Sequence, residues 1–237
     1  MPAMGLASTF ATVPALSAVP GLVHGFEHKT QGATRETRDE WRQRTSAALA
    51  DAGRLLFLRQ VHGASVCRAP WEGTPAADAA IATAPRLLLA IETADCLPAL
   101  LVDPDRRWVA AAHAGWRGTA AGVVRAAVLA LVEAGSDPGS LRVALGPAIG
   151  PCCYQVGDEL RAAFGRAGAR FFRPGPDGRP FLDLRAANRA QLLEAGVREP
   201  HILAVDECTA CLGDRYYSYR RDGAGTGRMI SFVGFAD

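Results

Sequence analysis

Three apolar runs in this 237-residue chain end on side chains that ligate metals. "RQVHG" brings His62, "TADCLP" brings Cys96 and "AAAHAGWRG" brings His113. Two imidazoles and a thiolate on rigid strand ends make a borderline-to-soft donor set of the kind Zn²⁺ favours, with a fourth position left open for water. An open zinc lowers the pKa of its water to about 7 and supplies hydroxide at neutral pH. Copper accepts the same donors. Singly, each residue is ordinary: a buried cysteine is usually a small hydrophobe, and a strand histidine is usually hydrogen-bonded core. The rival chemistry is nucleophilic, with Cys96 attacking, His113 as base and Asp95 or another acid orienting it. A nucleophile needs one histidine, and here two occupy similar settings, which favours the metal.

The remaining cysteines divide into an adjacent pair, Cys152 and Cys153, and a C-x-x-C, Cys208 and Cys211. A zinc shared by all four is disfavoured on sequence grounds, because adjacent cysteines diverge in direction and seldom both bind one tetrahedral ion. A redox C-x-x-C sits at a helix N-terminus, whereas this one precedes "LGDRYYSYR", which reads as a strand. The expectation is thiols packed in the core or a loop. A second chemical cluster is cationic. "GWRGT" sets Arg117 among glycines at a helix start, and "YSYRRDGAGTGR" gathers Arg220, Arg221 and Arg228 around a glycine-rich turn. Tyr217 and Tyr219 alternate with Ser218 there as in a strand. This suits phosphate or sugar hydroxyls, although neither a P-loop nor a dinucleotide fingerprint is present. The competing expectation is a polar hairpin with surface arginines.

Short apolar runs must position these groups: "RLLFLRQV", "ASVCR", "DAAIAT", "LLLAIE", "PALLV", "RWVAAAH", "LRVALG", "HILAV", "RYYSYR" and "RMISFVGF". Each has strand length and is bounded by turn formers. Asp103–Arg106, "DPDR", predicts a type I turn joining Pro98–Val102 to Arg107–His113 as an antiparallel hairpin. Helices are predicted near 36–52, from Val123 to a stop at Gly135, and over 158–167 and 184–194, with the loop "RPGPDGRP" between the last two. Strands neither alternate strictly with helices nor separate from them, so an α+β fold with one compact unit is expected. A net charge of +2 gives no reason to expect nucleic acid or an anionic membrane as partner. No run approaches the roughly 20 apolar residues of a membrane span. The N-terminus lacks a basic n-region, so a cytoplasmic protein with reduced thiols is expected.

The quoted stretches, together with "LGPAIGPCCYQVGDEL" and "DLRAANRAQLLEAGV", resemble the laccase-like polyphenol oxidase family in order and content. That family is also described as purine nucleoside phosphorylases, and some members as peptidoglycan editing factors. The resemblance runs from about Gly21 to the end, leaving 1–20 as a loosely ordered extension ahead of a single catalytic domain, 21–237. It implies two mixed sheets face to face with helices outside, in four layers. It implies His62, Cys96 and His113 as ligands of zinc, with copper tied to oxidase activity. The implied reactions are phosphorolysis of adenosine, inosine and methylthioadenosine, and deamination of adenosine. Asp95, Cys96 and Arg117 are the expected catalytic residues, with Asp95 moving protons or orienting a histidine. If the chain is extended at Cys96, Asp95 points to the opposite face. Arg59, Arg117 and Arg220 are expected to hold phosphate, and Gln60 and Asn188 to read sugar or base edges. The alternatives are a cysteine amidohydrolase acting on peptidoglycan precursors and a copper polyphenol oxidase. The latter must pass four electrons to O₂ from a single His/Cys set. The preferred nucleoside and the oligomeric state are left open.

Overall fold

A computed structural model describes residues 9–29 and 37–237. The chain runs through β1 (Phe10–Ala11), α1 (Pro14–Ser17), β2 (Leu22–Glu27), α2 (Arg38–Ala48), β3 (Arg54–Phe57), β4 (Val66–Arg68), β5 (Ala79–Ala82) and β6 (Leu87–Thr93). It continues through β7 (Leu97–Asp103), β8 (Trp108–Ala114), α3 (Trp116–Ala120), α4 (Val123–Ala134), β9 (Arg142–Leu145) and α5 (Glu159–Gly168). Last come β10 (Phe172–Pro174), β11 (Pro180–Leu182), α6 (Leu184–Glu194), β12 (Ile202–Ala204), α7 (Tyr219–Asp222) and β13 (Met229–Phe235).

Two mixed sheets form the frame, one ordered β1-β2-β13-β6-β3 and the other β12-β9-β7-β8-β5-β4. The α+β expectation holds, and the layers follow from side-chain parity. On β7 and β8, Leu100, Val102, Val109 and Ala111 face the first sheet, where they meet Phe26, Leu89, Ile91, Val233 and Phe235. The alternate residues Leu97, Ala99, Leu101, Ala110 and Ala112 face outward onto Val123, Val124, Ala127, Val128 and Leu131 of α4. The outer face of the first sheet is covered by Trp41 and Leu49. The order is helix, sheet, sheet, helix, with the core between the sheets.

The hairpin forms as "DPDR" predicts, with Val102 opposite Val109 and Asp103 opposite Trp108. Buried Asp103 fixes the turn by accepting from the amides of Asp105 at 3.1 Å and Arg106 at 3.0 Å. The helix at 123 is bounded by glycines in the left-handed region, Gly122 (φ 82°) and Gly135 (φ 119°). The helix expected from Glu36 starts at Arg38, capped by a Thr37–Glu40 box, and ends at Ala48; Glu36 itself lies outside the described residues. The loop "RPGPDGRP" is the tip of a two-stranded hairpin, β10 with β11.

Two expectations on strands fail, and the N-terminal stretch adds an observation. The stretch before Gly21 packs where it is described: Phe10, Val13, Leu16 and Val19 are buried, and the Val13 amide donates to His24 Nε2 at 2.9 Å. Apolar residues outweigh the prolines there. The strand drawn through "RLLFLRQV" stops at Phe57. Beyond it the backbone leaves the sheet, and the Gln60 side-chain amide bonds Glu92 N and O instead, at 2.8 Å each. "RYYSYR" is a turn leading into α7. Ser218 accepts from the Arg221 amide at 3.2 Å, a helix cap, and the Arg221 guanidinium clasps the carbonyls of Thr209 and Tyr216.

Candidate metal centre and cleft

His113 shares the parity of Val109 and Ala111, so its side chain leaves β8 toward the gap between the sheets, at the end where the gap opens. Cys96 sits on the tight connection between β6 and β7, one residue before β7 begins. His62 is on a loop rather than a strand end, in the left-handed region at φ 62°. The three meet. One donor atom from each of His62, Cys96 and His113 lies within 4.8 Å of the others, and the two imidazole rings stand 4.8 Å apart edge to face.

The group that organises them is Asp78, which the sequence analysis passed over. Its Oδ1 lies 2.8 Å from His113 Nδ1 and accepts from the His62 amide at 2.9 Å. Its Oδ2 accepts from the amides of Gly63 at 2.7 Å and Val61 at 3.1 Å. One fully buried carboxylate therefore aims His113 and holds the strained His62 loop. Burial works against its charge, but His113 and the amides of Gly63 and His62 keep Asp78 below the usual carboxylate range. The available signal was an acid opening the strand "DAAIAT", a charged residue at the head of a fully buried run.

Asp95 does other work. The chain is not extended there (φ 86°), and its two oxygens accept from Thr209 Oγ1 at 2.6 Å and the Arg220 amide at 2.7 Å. It therefore ties the cleft rim together, and the carboxylate on His113 belongs to Asp78. Arg117 and Arg220 line the cleft with Arg38, Arg228, Trp116 and Tyr154, around a volume of about 590 Å³. Arg220 Nη1 donates to Gln155 O at 2.7 Å, and its guanidinium lies over Tyr154. Gln60 reaches the cleft with its amide already paired to Glu92. Arg59 and Asn188 are not brought to it. Arg59 bridges to Ala76, and fully buried Asn188 donates to Thr119 Oγ1 at 3.0 Å and Leu184 O at 2.8 Å. Arg221 is occupied as the clasp described above.

The donor set suits a cation. Burial raises the Cys96 thiol, yet His113 and His62 bring it down to about 6. Burial lowers the His113 imidazole, yet the Cys96 thiolate and Asp78 lift it to about 9. A thiolate beside a proton-retaining imidazole marks a place where positive charge is stabilised, and a metal ion bound there would replace that proton. The space is kept clear by Gly115, where an added Cβ would come within 2.9 Å of Cys96 Sγ and 3.3 Å of His62 Cδ2.

The scaffold these features define is a mixed four-layer fold with a His/Cys donor set in the lining of an arginine-rich cleft. The chain belongs to the family described as multi-copper polyphenol oxidoreductase laccase, which matches residues 27–236. It is 41% identical to a purine nucleoside phosphorylase of Deinococcus radiodurans over 196 residues, covering 82% of this chain and 76% of that one. It is 37% identical to the adenosine deaminase RL5 of an unknown prokaryotic organism, covering 66% of this chain and 61% of that one. Among solved structures, YlmD from Geobacillus stearothermophilus superposes with a TM-score of 0.85 at 31% identity, over 97% of this chain and 99% of that one. No helix among the described residues is long and apolar enough to cross a membrane.

Proposed function

We propose that the protein is a zinc-dependent purine nucleoside phosphorylase that also deaminates adenosine, with His62, Cys96 and His113 as the metal ligands. The observation that carries this is the convergence of those three donors in the lining of the arginine-rich cleft. The names of the relatives at 41% and 37% identity supply the substrate class. A volume of about 590 Å³ suits a nucleoside with a phosphate beside it. Zinc held by this set supplies Lewis-acid polarisation and water activation.

The chain's own residues do the rest. Arg117 and Arg220 hold phosphate against the ribose by charge-assisted hydrogen bonds. A phosphate oxygen bonds to C1′ as the bond from C1′ to the purine breaks. The purine leaves with the electron pair and takes a proton from solvent. Asp95 positions Arg220 through its backbone amide, and Asp78 keeps both imidazoles aimed at Cys96. Trp116 and Tyr154 offer flat faces for a base. Copper is the alternative ion for the same donors.

A second reading has one specific observation in its favour: the Cys96 thiolate, His113 and Asp78 form a nucleophile, base and orienting acid in sequence. This is the constellation a cysteine amidohydrolase on peptidoglycan precursors would need. The test is a product assay on zinc-loaded protein with adenosine. Adenine and ribose 1-phosphate are expected when phosphate is present, and inosine with ammonia when it is absent. Adenosine left intact in both would overturn the proposal. Amide hydrolysis that survives chelation but not alkylation of Cys96 would favour the second reading.

A further inference from the structure

From the sequence, Cys152, Cys153, Cys208 and Cys211 are expected as thiols packed in the core or a loop, with a shared zinc disfavoured. The structure brings all four together, with sulfur atoms within 4.8 Å of one another. Cys211 Sγ lies 3.4 Å from Cys153 Sγ and 3.6 Å from Cys152 Sγ. Adjacent cysteines diverge only in an extended chain. Here the amides of Cys153 and Tyr154 both bond Gly150 O at 3.0 Å, which curls the segment so that both thiols face one side. The partner loop is fixed in register by a parallel bridge from Ala148 to Cys208 and by the Thr209 amide on Ala148 O at 3.1 Å.

We propose that these four thiolates form a closed, structural zinc site. Four sulfurs at the zinc–sulfur distance of about 2.3 Å are spaced roughly 3.8 Å apart at the corners of a tetrahedron; the two Cys211 separations fall just under that spacing, and all four sulfurs lie within 4.8 Å of one another. Pairing as disulfides suits the geometry less, because Cys211 stands almost equally close to two partners. The Gly150 amide donates to Cys208 Sγ at 3.2 Å, as an amide does to a ligating thiolate. Gly150 also leaves the room needed: a Cβ there would stand 3.2 Å from Cys152 Sγ and 3.5 Å from Cys208 Sγ. Four thiolates select a soft or borderline ion, and Zn²⁺ in a closed tetrahedral set is the structural choice.

The consequence for the cleft is mechanical. Cys153 precedes Tyr154 and offers its carbonyl to Arg220, and Cys208 precedes Thr209, which bonds Asp95. An ion here fastens two loops that together carry the wall around Arg220. This inference is independent of the reaction proposed above.

The test isolates the second site by removing the first. In the His62→Ala/His113→Ala protein, purified under reducing conditions, zinc is expected to survive dialysis. Cobalt substitution should give the strong sulfur-to-metal charge-transfer band and tetrahedral ligand-field bands of a tetrathiolate ion. Both should vanish when Cys208→Ser/Cys211→Ser is added. Absence of bound zinc and of a thiolate–cobalt spectrum in the histidine variant would overturn the proposal, as would mass spectrometry showing the four cysteines paired as disulfides. Should the combined variant fail to fold, the tetrathiolate spectrum of the histidine variant decides alone.

Discussion

The two convergent clusters differ in how the fold holds them. His113 comes from a strand buried on both faces, Cys96 from the turn entering its neighbour β7, and a fully buried carboxylate sets the loop of the third donor. The four thiols come from two surface turns, and Cys152 and Cys211 are exposed. The first set has three donors and opens onto a cleft, while the second has four and closes on itself. An open position makes a site chemical, and a full shell makes it structural. A rigid frame can hold an incomplete shell in place, whereas surface turns need the complete shell to hold them.

The largest effect that would break this contrast is on ligand removal. His113→Ala should abolish metal binding at the cleft and nucleoside turnover together, leaving thiol-bound zinc in place, as read by metal analysis and the adenosine assay. Next is Asp78→Asn, which removes the charge that orients His113 and should weaken metal affinity at the cleft by about 10–100-fold. A competition titration with a chelator measures it, and unchanged affinity would strip Asp78 of its positioning role. Third, metal-free protein at pH 7.5 should be alkylated at Cys96 at least roughly ten times faster than at exposed Cys152. Cys96, brought down to about 6, is then mostly thiolate, while Cys152, pushed up to about 11, is mostly protonated. The Cys96 advantage should shrink as pH rises toward 11, and peptide mapping of the label reads both rates. Smallest and most selective are two glycine substitutions. Gly115→Ala should cost the cleft site, and Gly150→Ala the thiol site, about 1–3 kcal/mol each through overpacking. Zinc-dependent shifts in Tm of each variant would show whether the two sites respond separately.

Arg117 adds a point on the cleft alone. Replacing it with alanine should raise the phosphate KM about tenfold or more while sparing metal content, since it removes a charge-assisted bond. An unchanged phosphate dependence would take Arg117 out of the anion site.

Much of the frame was legible because local rules and tertiary demands agree. Short apolar runs bounded by turn formers gave β7 and β8, Asp103 and Pro104 gave their turn, and Gly135 gave the end of α4. Where the reading failed, a long-range partner overrode the local pattern. "RYYSYR" alternates like a strand, but Arg221 is drawn onto the carbonyls of a loop a dozen residues back, and Ser218 caps a helix instead. "RLLFLRQV" is apolar enough to continue as a strand, but a Gln60 side chain takes over the bonding to Glu92. Asn188 is a polar residue on a helix whose partner, Thr119, is 69 positions away.

The amino-acid sequence by itself determined which side chains can do chemistry here and where the apolar faces that carry them lie, because residue type and periodicity are local properties. Only the tertiary structure decided which of them meet. It gave His113 to Asp78 rather than Asp95, and it turned two separate cysteine pairs into one cluster. Those outcomes depend on the direction in which each turn points its side chains, and that direction is fixed by hydrogen bonds to residues distant in the chain.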